Sequence, residues 1–186
     1  MTNLPELATT KLDLRRAVAR ARAGGRSIGL VPTMGALHTG HLSLVKRASE
    51  ENHLVIVSIY VNPTQFNNIE DLKKYPRTLE RDTALLKTVS KDKIVVFAPT
   101  VETIYNGNTI SENFDFDGLE HEMEGKFREG HFDGVGTIVK RLLEIIQPDK
   151  AYFGEKDFQQ LQIIKKLAEK HNIPSEIIGC KIHRET

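Results

Sequence analysis

Short apolar runs alternate with longer amphipathic stretches along this chain, and that alternation constrains the fold more than any other feature. Residues 54–61 are almost continuously apolar and rich in β-branched side chains, which is typical of a strand buried on both faces of a sheet. Helical stretches of about 10 to 15 residues separate such runs, which indicates parallel strands joined by right-handed crossovers. The sequence therefore predicts an α/β protein with a Rossmann-like, doubly wound parallel sheet.

The remaining elements are predicted in the same way, from short apolar runs for strands and from helical spacing for helices. Strands are predicted where short apolar runs end at proline or glycine, and helices where apolar residues recur every three or four positions. Phe114 and Phe116 alternate with acidic residues, which predicts an edge strand after the turn signal at 106–108. The predicted strands are 27–31, 54–61, 94–98, 151–153 and 177–182, and the predicted helices are 12–23, 42–48, 78–90, 138–146 and 158–168.

Composition limits the class of protein and its partners. Lysine and arginine number 26 and aspartate and glutamate 25, so no global field attracts nucleic acid or an anionic membrane, and any anion site must be local. The first ten residues lack the apolar core of a signal peptide, and no apolar run is long enough to span a bilayer. A single cysteine, Cys180, favours a reducing compartment. We expect a cytoplasmic protein.

The first segment that can do chemistry, PTMGALHTGH at 32–41, leaves a predicted strand and enters a helix. Ligands of parallel sheets gather beyond the carboxyl ends of the strands, and a helix start offers N–H groups to a phosphate. His38 and His41 would lie on one side of the helix and could donate to phosphoryl oxygens. Two other interpretations stay open here: a structural turn with one surface and one packed histidine, and a zinc site, which the lack of a nearby third ligand disfavours.

The second segment, GEKD at 154–157, also joins a predicted strand to a helix. Lys156 supplies a mobile positive charge that suits a polyphosphate. Asp157 is predicted to cap the following helix. Gln160, one turn later, would face the same site, where its amide can both donate and accept hydrogen bonds.

Two further polar segments are less specific. Asn62 and Gln65, in YVNPTQF at the end of the second predicted strand, are neutral amides that fit either turn chemistry or ligand contact. The glycine-containing segment REGHFDG at 128–134 leads into a helix. It is interpreted as a mobile connector in which Arg128 and His131 could also meet an anion.

Together these segments closely resemble the pantoate–β-alanine ligase family. The likeness runs in one order from about residue 27 to the last residue. It is carried by the motifs PTMGALH, GH, VNPTQF, ED, YPR, GHFDGV and GEKDFQQ, which begin at residues 32, 40, 61, 70, 75, 130 and 154. The family joins pantoate to β-alanine through a pantoyl-adenylate. It consumes ATP, with Mg²⁺ on the phosphates, and releases AMP and pyrophosphate.

The resemblance also implies roles for individual residues. His41 would be catalytic, as a general acid or electrophile, and the protein itself would hold no metal. Gln65 and Gln160 would bind pantoate, with Gln65 also near β-alanine. The ATP site would comprise Met34, Gly35, Ala36, Leu37, His38, Thr39, Gly40, His41, Gly154, Glu155, Lys156, Asp157 and His183.

Members of this family are longer than 186 residues. The resemblance predicts a DGLAxSSRN stretch after Thr186 and a small C-terminal domain that closes over ATP. We therefore expect residues 1–186 to form an N-terminal nucleotide- and pantoate-binding domain, dimeric as in the family, that lacks the lid and is weak or inactive alone. Two alternatives stay open: an H-x-G-H nucleotidyltransferase that passes AMP to a phosphorylated acceptor, and a non-catalytic dimerisation module.

Overall fold

The computed structural model describes residues 5–181, and within them six parallel strands form one sheet in the order β1-β4-β3-β2-β5-β6. Its strands are β1 (Glu6–Ala8), β2 (Ile28–Thr33), β3 (Leu54–Ile59), β4 (Ile94–Phe97), β5 (Lys150–Gly154) and β6 (Glu176–Cys180). The helices are α1 (Lys11–Ala23), α2 (Thr39–Glu51), α3 (Ile69–Lys74), α4 (Leu79–Val89), α5 (Val101–Tyr105), α6 (His131–Ile146) and α7 (Phe158–Lys170). Short 3₁₀ turns lie at Pro63–Gln65, Leu119–His121, Met123–Lys126 and Glu155–Asp157.

Helices cover both faces of the sheet, as the continuous apolar character of β3 predicts. Ile56 of β3 packs in one core cluster with side chains of α1, α6 and α7. Val55 and Val57, which point to the other face, pack in a second cluster with side chains of α2 and α4. All three side chains are fully buried. The doubly wound α/β architecture is confirmed.

The strand order reverses beside β2. From β2 the chain proceeds outward through β3 to β4, and it then returns through α6 to place β5 on the other side of β2. At such a switch point the connections after the two neighbouring strands diverge to opposite faces and leave a crevice beyond their carboxyl ends. The segments after β2 and β5 are the two that the sequence predicts to carry chemistry.

Strand β1 is not predicted by the sequence. It pairs in parallel with β4 at the edge of the sheet, Glu6 opposite Val95 and Ala8 opposite Phe97. Three residues are too few to show a two-residue periodicity, so only the free edge of β4 identifies this segment as a strand.

The predicted edge strand at Phe114 and Phe116 is wrong. The two rings stack with their centroids 5.4 Å apart, and they lie against Gly136 of α6. The main-chain N–H of Phe114 donates to the Asp133 carboxylate (2.9 Å) and that of Phe116 to the Glu120 carboxylate (3.3 Å). These main-chain N–H groups therefore donate to side-chain carboxylates and not to the carbonyl groups of a neighbouring strand.

Candidate active site

A cleft of about 460 Å³ lies beyond the carboxyl ends of β2, β3 and β5. It brings together three segments that are far apart in the chain and that the sequence singles out. His41 and Lys156, from opposite sides of the switch point, both line it. The other predicted site residues on its walls are Met34, His38, Thr39, Gly40, Gln65, Gly154, Asp157 and Gln160.

The N-terminus of α2 is built by its two histidines. His38 is the N-cap residue, and its Nδ1 accepts a hydrogen bond from the Gly40 N–H (3.1 Å). His41 Nδ1 in turn accepts from the His38 N–H (3.3 Å), and the two rings are 4.2 Å apart. A Cβ on Gly40 would lie 2.8 Å from the His38 ring, so glycine is needed there for the cap to form. This reciprocal pairing is a capping box made by imidazoles.

His41 is therefore a fixed neutral donor. Burial, with a smaller contribution from His38, lowers its pKa to about 4, and Asp82 opposes the shift. Because Nδ1 accepts from the main chain, the neutral ring carries its proton on Nε2. Such a donor is already oriented when negative charge develops on a ligand beside it.

The loop between β2 and α2 is held by a residue that the sequence analysis missed. Asp82 of α4 is 1% exposed, and its carboxylate accepts from the main-chain N–H groups of Ala36 and Leu37 (2.9 Å each). These bonds fix a left-handed turn at Gly35 (φ +83°) and Ala36 (φ +51°). An acid three residues after Leu79, on the apolar face of a helix, is the signal that could have identified it.

Part of this loop, which the resemblance assigns as a whole to the ATP site, lies outside the cleft. Gly35, Ala36 and Leu37 do not line the cleft, and the N–H groups of the last two are already bonded to Asp82. Their observed role is to hold the backbone that carries His38 and His41.

The turn that carries Gln65 is also held from behind. Asn62 is fully buried, and its Nδ2 donates to the Gly134 carbonyl (3.1 Å) and to Gln65 Oε1 (3.3 Å). A Cβ on Gly134 would lie 2.5 Å from the Thr64 carbonyl oxygen, so only glycine lets α6 approach this closely. Asn62 and α6 thereby orient the Gln65 side chain, whose Nε2 reaches Met34 Sδ at 3.4 Å.

The segment 128–134 has a structural role and does not contact the cleft. His131 is buried in the first turn of α6, and its Nδ1–H donates to the Gln65 carbonyl (2.8 Å). Arg128 pairs with Glu124. Residues 131–134 form the first turn of α6 and are not a connector, and neither Arg128 nor His131 lines the cleft.

The segment after β5 is open by comparison. Lys156 and Asp157 are exposed, and neither has a hydrogen-bond or ion-pair partner among residues 5–181. Asp157 stands at the N-cap position of α7, but its side chain accepts no capping bond, so that prediction is wrong. The 3₁₀ turn Glu155–Asp157 runs directly into α7.

Three residues complete the comparison with the sequence. Glu155 lies beside Gly179 of β6 and does not line the cleft. Lys181, at the end of β6, does line it and was not predicted. Its position after a strand of the parallel sheet is the signal that could have found it. His183 lies outside the described residues.

Within residues 5–181 no three His, Cys, Asp or Glu side chains are grouped so that they could hold a metal ion. None of the helices in that part of the chain combines the length and apolar character needed to cross a membrane.

A doubly wound parallel sheet with a cleft at its switch point defines a Rossmann-like α/β fold. The chain belongs to the pantoate–β-alanine ligase family, since the sequence model of that family matches residues 6–186.

Individual relatives agree with this assignment. The pantothenate synthetase of Christiangramia forsetii is 61% identical over 172 residues, which cover 92% of this chain and 60% of that protein. The Thermus thermophilus pantoate–β-alanine ligase superposes with a TM-score of 0.88 at 44% identity, covering 97% of this chain and 63% of that one. The Francisella tularensis pantoate–β-alanine ligase, crystallised with β-γ ATP and β-alanine, superposes with a TM-score of 0.87 at 40% identity, covering 97% and 68%. The chain thus spans about 60% of the length of the curated relatives it matches.

Proposed function

We propose that this chain forms the nucleotide- and pantoate-binding part of a ligase that condenses pantoate with β-alanine and converts ATP to AMP and pyrophosphate. One observation carries the proposal. A single cleft brings together the neutral donor His41, the ammonium group of Lys156 and the two amides of Gln65 and Gln160. The Francisella relative, whose crystals hold a form of ATP together with β-alanine, supports the same pair of ligands for this cleft.

The chemistry has two steps. A pantoate carboxylate oxygen attacks the α-phosphorus of ATP, the bond to the β-phosphate oxygen breaks, and pyrophosphate leaves. The amine of β-alanine then attacks the acyl carbon of the pantoyl-adenylate, loses a proton, and AMP leaves with the bonding electrons. Charge accumulates on the phosphoryl oxygens in the first step, where the Nε2–H of His41 and the ammonium group of Lys156 stabilise it.

The side of the cleft formed by the two glutamines and α6 suits pantoate. Pantoate carries two hydroxyls and two methyl groups beside its carboxylate. Gln65 and Gln160 can donate to and accept from hydroxyls, and Val135, Val139 and Leu142 of α6 give the cleft an apolar wall. A phosphorylated acceptor, as the nucleotidyltransferase alternative requires, would be better matched by arginines than by two amides.

Mg²⁺ enters as part of the nucleotide substrate. Within the described residues, Asp157 is the carboxylate that lines the cleft. Mg²⁺ keeps several waters and is commonly bound through substrate phosphates and one or two carboxylates. That chemistry fits a magnesium ion carried by ATP, and Asp157 would be the residue to meet it.

The remaining parts of the proposal concern the protein as a whole. We propose that residues 1–186 act as one nucleotide- and pantoate-binding domain in a homodimer, in the cytoplasm. We also propose that full turnover needs the portion of the relatives that this chain does not match. Closure over the cleft would exclude water from the reactive adenylate.

ATP–pyrophosphate exchange tests the function directly. The assay compares the 186-residue chain with the same chain joined to the unmatched portion of the Christiangramia relative. We expect pantoate-dependent exchange, strong only in the joined protein. His41→Ala should lower the exchange rate about 100-fold, as loss of one transition-state donor usually does. His121→Ala is the control, since that side chain is exposed and lies outside the cleft.

Other outcomes would reject parts of the proposal. Exchange that depends on a phosphorylated acceptor instead of pantoate would establish the nucleotidyltransferase alternative. A sedimentation measurement that finds a dimer, together with calorimetry that finds no nucleotide binding, would favour the dimerisation module. Full activity from the 186-residue chain alone would refute the need for the additional portion.

A further inference from the structure

Ser58 of β3 carries a hydroxyl that the fold itself does not explain. The residue is 1% exposed, and its Oγ has no hydrogen-bond partner among the residues that the structure describes. Leaving a buried hydroxyl unsatisfied costs about 1–3 kcal/mol, so such groups call for a reason. Ser58 also lines the cleft.

Ser58 borders the cleft from within the sheet. Its main chain lies inside the sheet, between Pro32 of β2 and Phe97 of β4, and its carbonyl accepts from Thr33 Oγ1 (2.8 Å). Successive side chains of a strand point to opposite faces. Ser58 therefore shares the face of Ile56, which packs in the cluster that contains α6.

Apolar side chains line the same cleft as Ser58. Pro32 precedes the loop between β2 and α2, and Val135, Val139 and Leu142 belong to α6. Tyr60, two residues further along the same face, has a second buried hydroxyl without a partner among the described residues. Hydrocarbon walls that hold unpaired hydroxyls suit a small ligand that is itself part hydrocarbon and part alcohol.

We propose that Ser58 is a specificity-determining residue whose Oγ forms a hydrogen bond with a hydroxyl group of a short, branched hydroxy acid. The inference rests on the proposed function, which supplies the acid. The acid's carboxylate must face the nucleotide at His41 and Lys156. The hydroxyl-bearing carbons are then left for the part of the cleft that Ser58 and the apolar residues of α6 line. A site built this way discriminates against an acid that lacks the hydroxyl, because Ser58 then stays unpaired.

Calorimetric titration of the Ser58→Ala variant tests this role. We expect the Kd for pantoate to rise about 10-fold, the usual value of one such hydrogen bond. Two analogues each lack one hydroxyl: 2-hydroxy-3,3-dimethylbutanoate and 4-hydroxy-3,3-dimethylbutanoate. The analogue without the bonded hydroxyl should bind wild type and variant equally, whereas the other should lose affinity as pantoate does.

The chain offers a matched control in Ser49. This α2 residue is also buried with a hydroxyl that has no partner in the described part of the chain, but it does not line the cleft. Ser49→Ala should leave the Kd for pantoate unchanged. Neither variant should lower the melting temperature, because each removes an unsatisfied polar group.

The outcomes separate the inference from the function. An unchanged Kd for pantoate in Ser58→Ala would overturn the inference, as would an equal loss for pantoate and for both analogues. If the wild-type chain binds neither pantoate nor either analogue, the proposed function falls and the inference falls with it. In a Ser58→Cys variant a weaker donor replaces the hydroxyl, so a Kd between those of wild type and Ser58→Ala would support a hydrogen bond.

Discussion

The two sides of the cleft are built in opposite ways. On the α2 side and at the Gln65 turn, main-chain and side-chain groups are bonded within the protein: Asp82 holds the loop, His38 caps α2, and α6 holds the turn through Gly134. On the α7 side, Lys156 and Asp157 are exposed and have no such partners in residues 5–181.

This contrast separates stability from binding. A prebuilt wall keeps its donors in place before a ligand arrives, which lowers the cost of ordering them on binding. Its residues therefore contribute to the free energy of unfolding as well as to affinity. The open side of the cleft contributes to affinity alone, because its side chains have no hydrogen bonds or ion pairs among residues 5–181 that unfolding would break. Substitutions on the built side should therefore lower the unfolding free energy, whereas substitutions on the open side should lower only the affinity for ligands.

The largest loss of stability is expected for Asp82→Ala. It removes both acceptors of the Ala36 and Leu37 N–H groups and leaves them unpaired in a tight loop. We expect about 3 kcal/mol less unfolding free energy in urea denaturation. Glu80→Ala, an exposed position on the same helix, is the control and should change little. A loss below about 1 kcal/mol would show that the loop does not depend on this carboxylate.

Gly134→Ala should give the second largest loss of unfolding free energy, about 2 kcal/mol. The added Cβ would meet main-chain atoms of Thr64 and Gln65 at 2.5–2.6 Å, so α6 or the turn must shift. Pantoate affinity should fall with stability, since the shift displaces the Gln65 amide. Gly24→Ala is the matched control, because its Cβ would meet nothing closer than 3.6 Å. Equal behaviour of the two variants would contradict the close-packing explanation.

A smaller effect should appear in the pH dependence of unfolding. The pKa of His41 is about 4 in the folded protein and about 6.5 when unfolded, so the unfolded state binds the proton first. Stability should therefore fall as the pH drops from about 6.5 to about 4. His41→Asn should reduce that fall by about 1 kcal/mol, after allowance for solvent screening at a half-buried group. His131, whose pKa burial also lowers, contributes with the same sign and remains in the variant. Urea denaturation of wild type and His41→Asn at a series of pH values measures this difference. The same pH dependence in both proteins would show that His41 is exposed to water.

Lys156→Ala should have the smallest effect on stability, within about 0.5 kcal/mol. Its affinity for ATP, measured by calorimetry, should nevertheless fall about 10-fold through loss of one charge-assisted hydrogen bond. Lys165→Ala, an exposed lysine of α7 outside the cleft, should change neither quantity. A large loss of stability in Lys156→Ala would remove the distinction between the two walls.

The predictability of the site from sequence follows the same division. The open segment is predictable because Lys156 lies two residues after a strand and Gln160 lies in the first turn of the helix that follows, and a strand end is a local signal. The built side is predictable only in part. His38 and His41 are recognisable by their spacing, but the partners that hold their loop come from far along the chain, as Asp82 does. The hydrogen bond of His131 to the Gln65 carbonyl was not predicted for the same reason.

By itself, the sequence determined the parallel α/β sheet, the order of most helices and strands, and the two strand ends where chemistry belongs, because periodicity and turn residues act over a few neighbouring positions. Tertiary structure alone decided that Glu6–Ala8 would pair with β4, that Phe114 and Phe116 would pack on α6, and that Ser58, beside the cleft, would keep a buried hydroxyl with no partner among the described residues. Each of these outcomes depends on which groups are left without partners once distant segments have packed, and no local pattern contains that information.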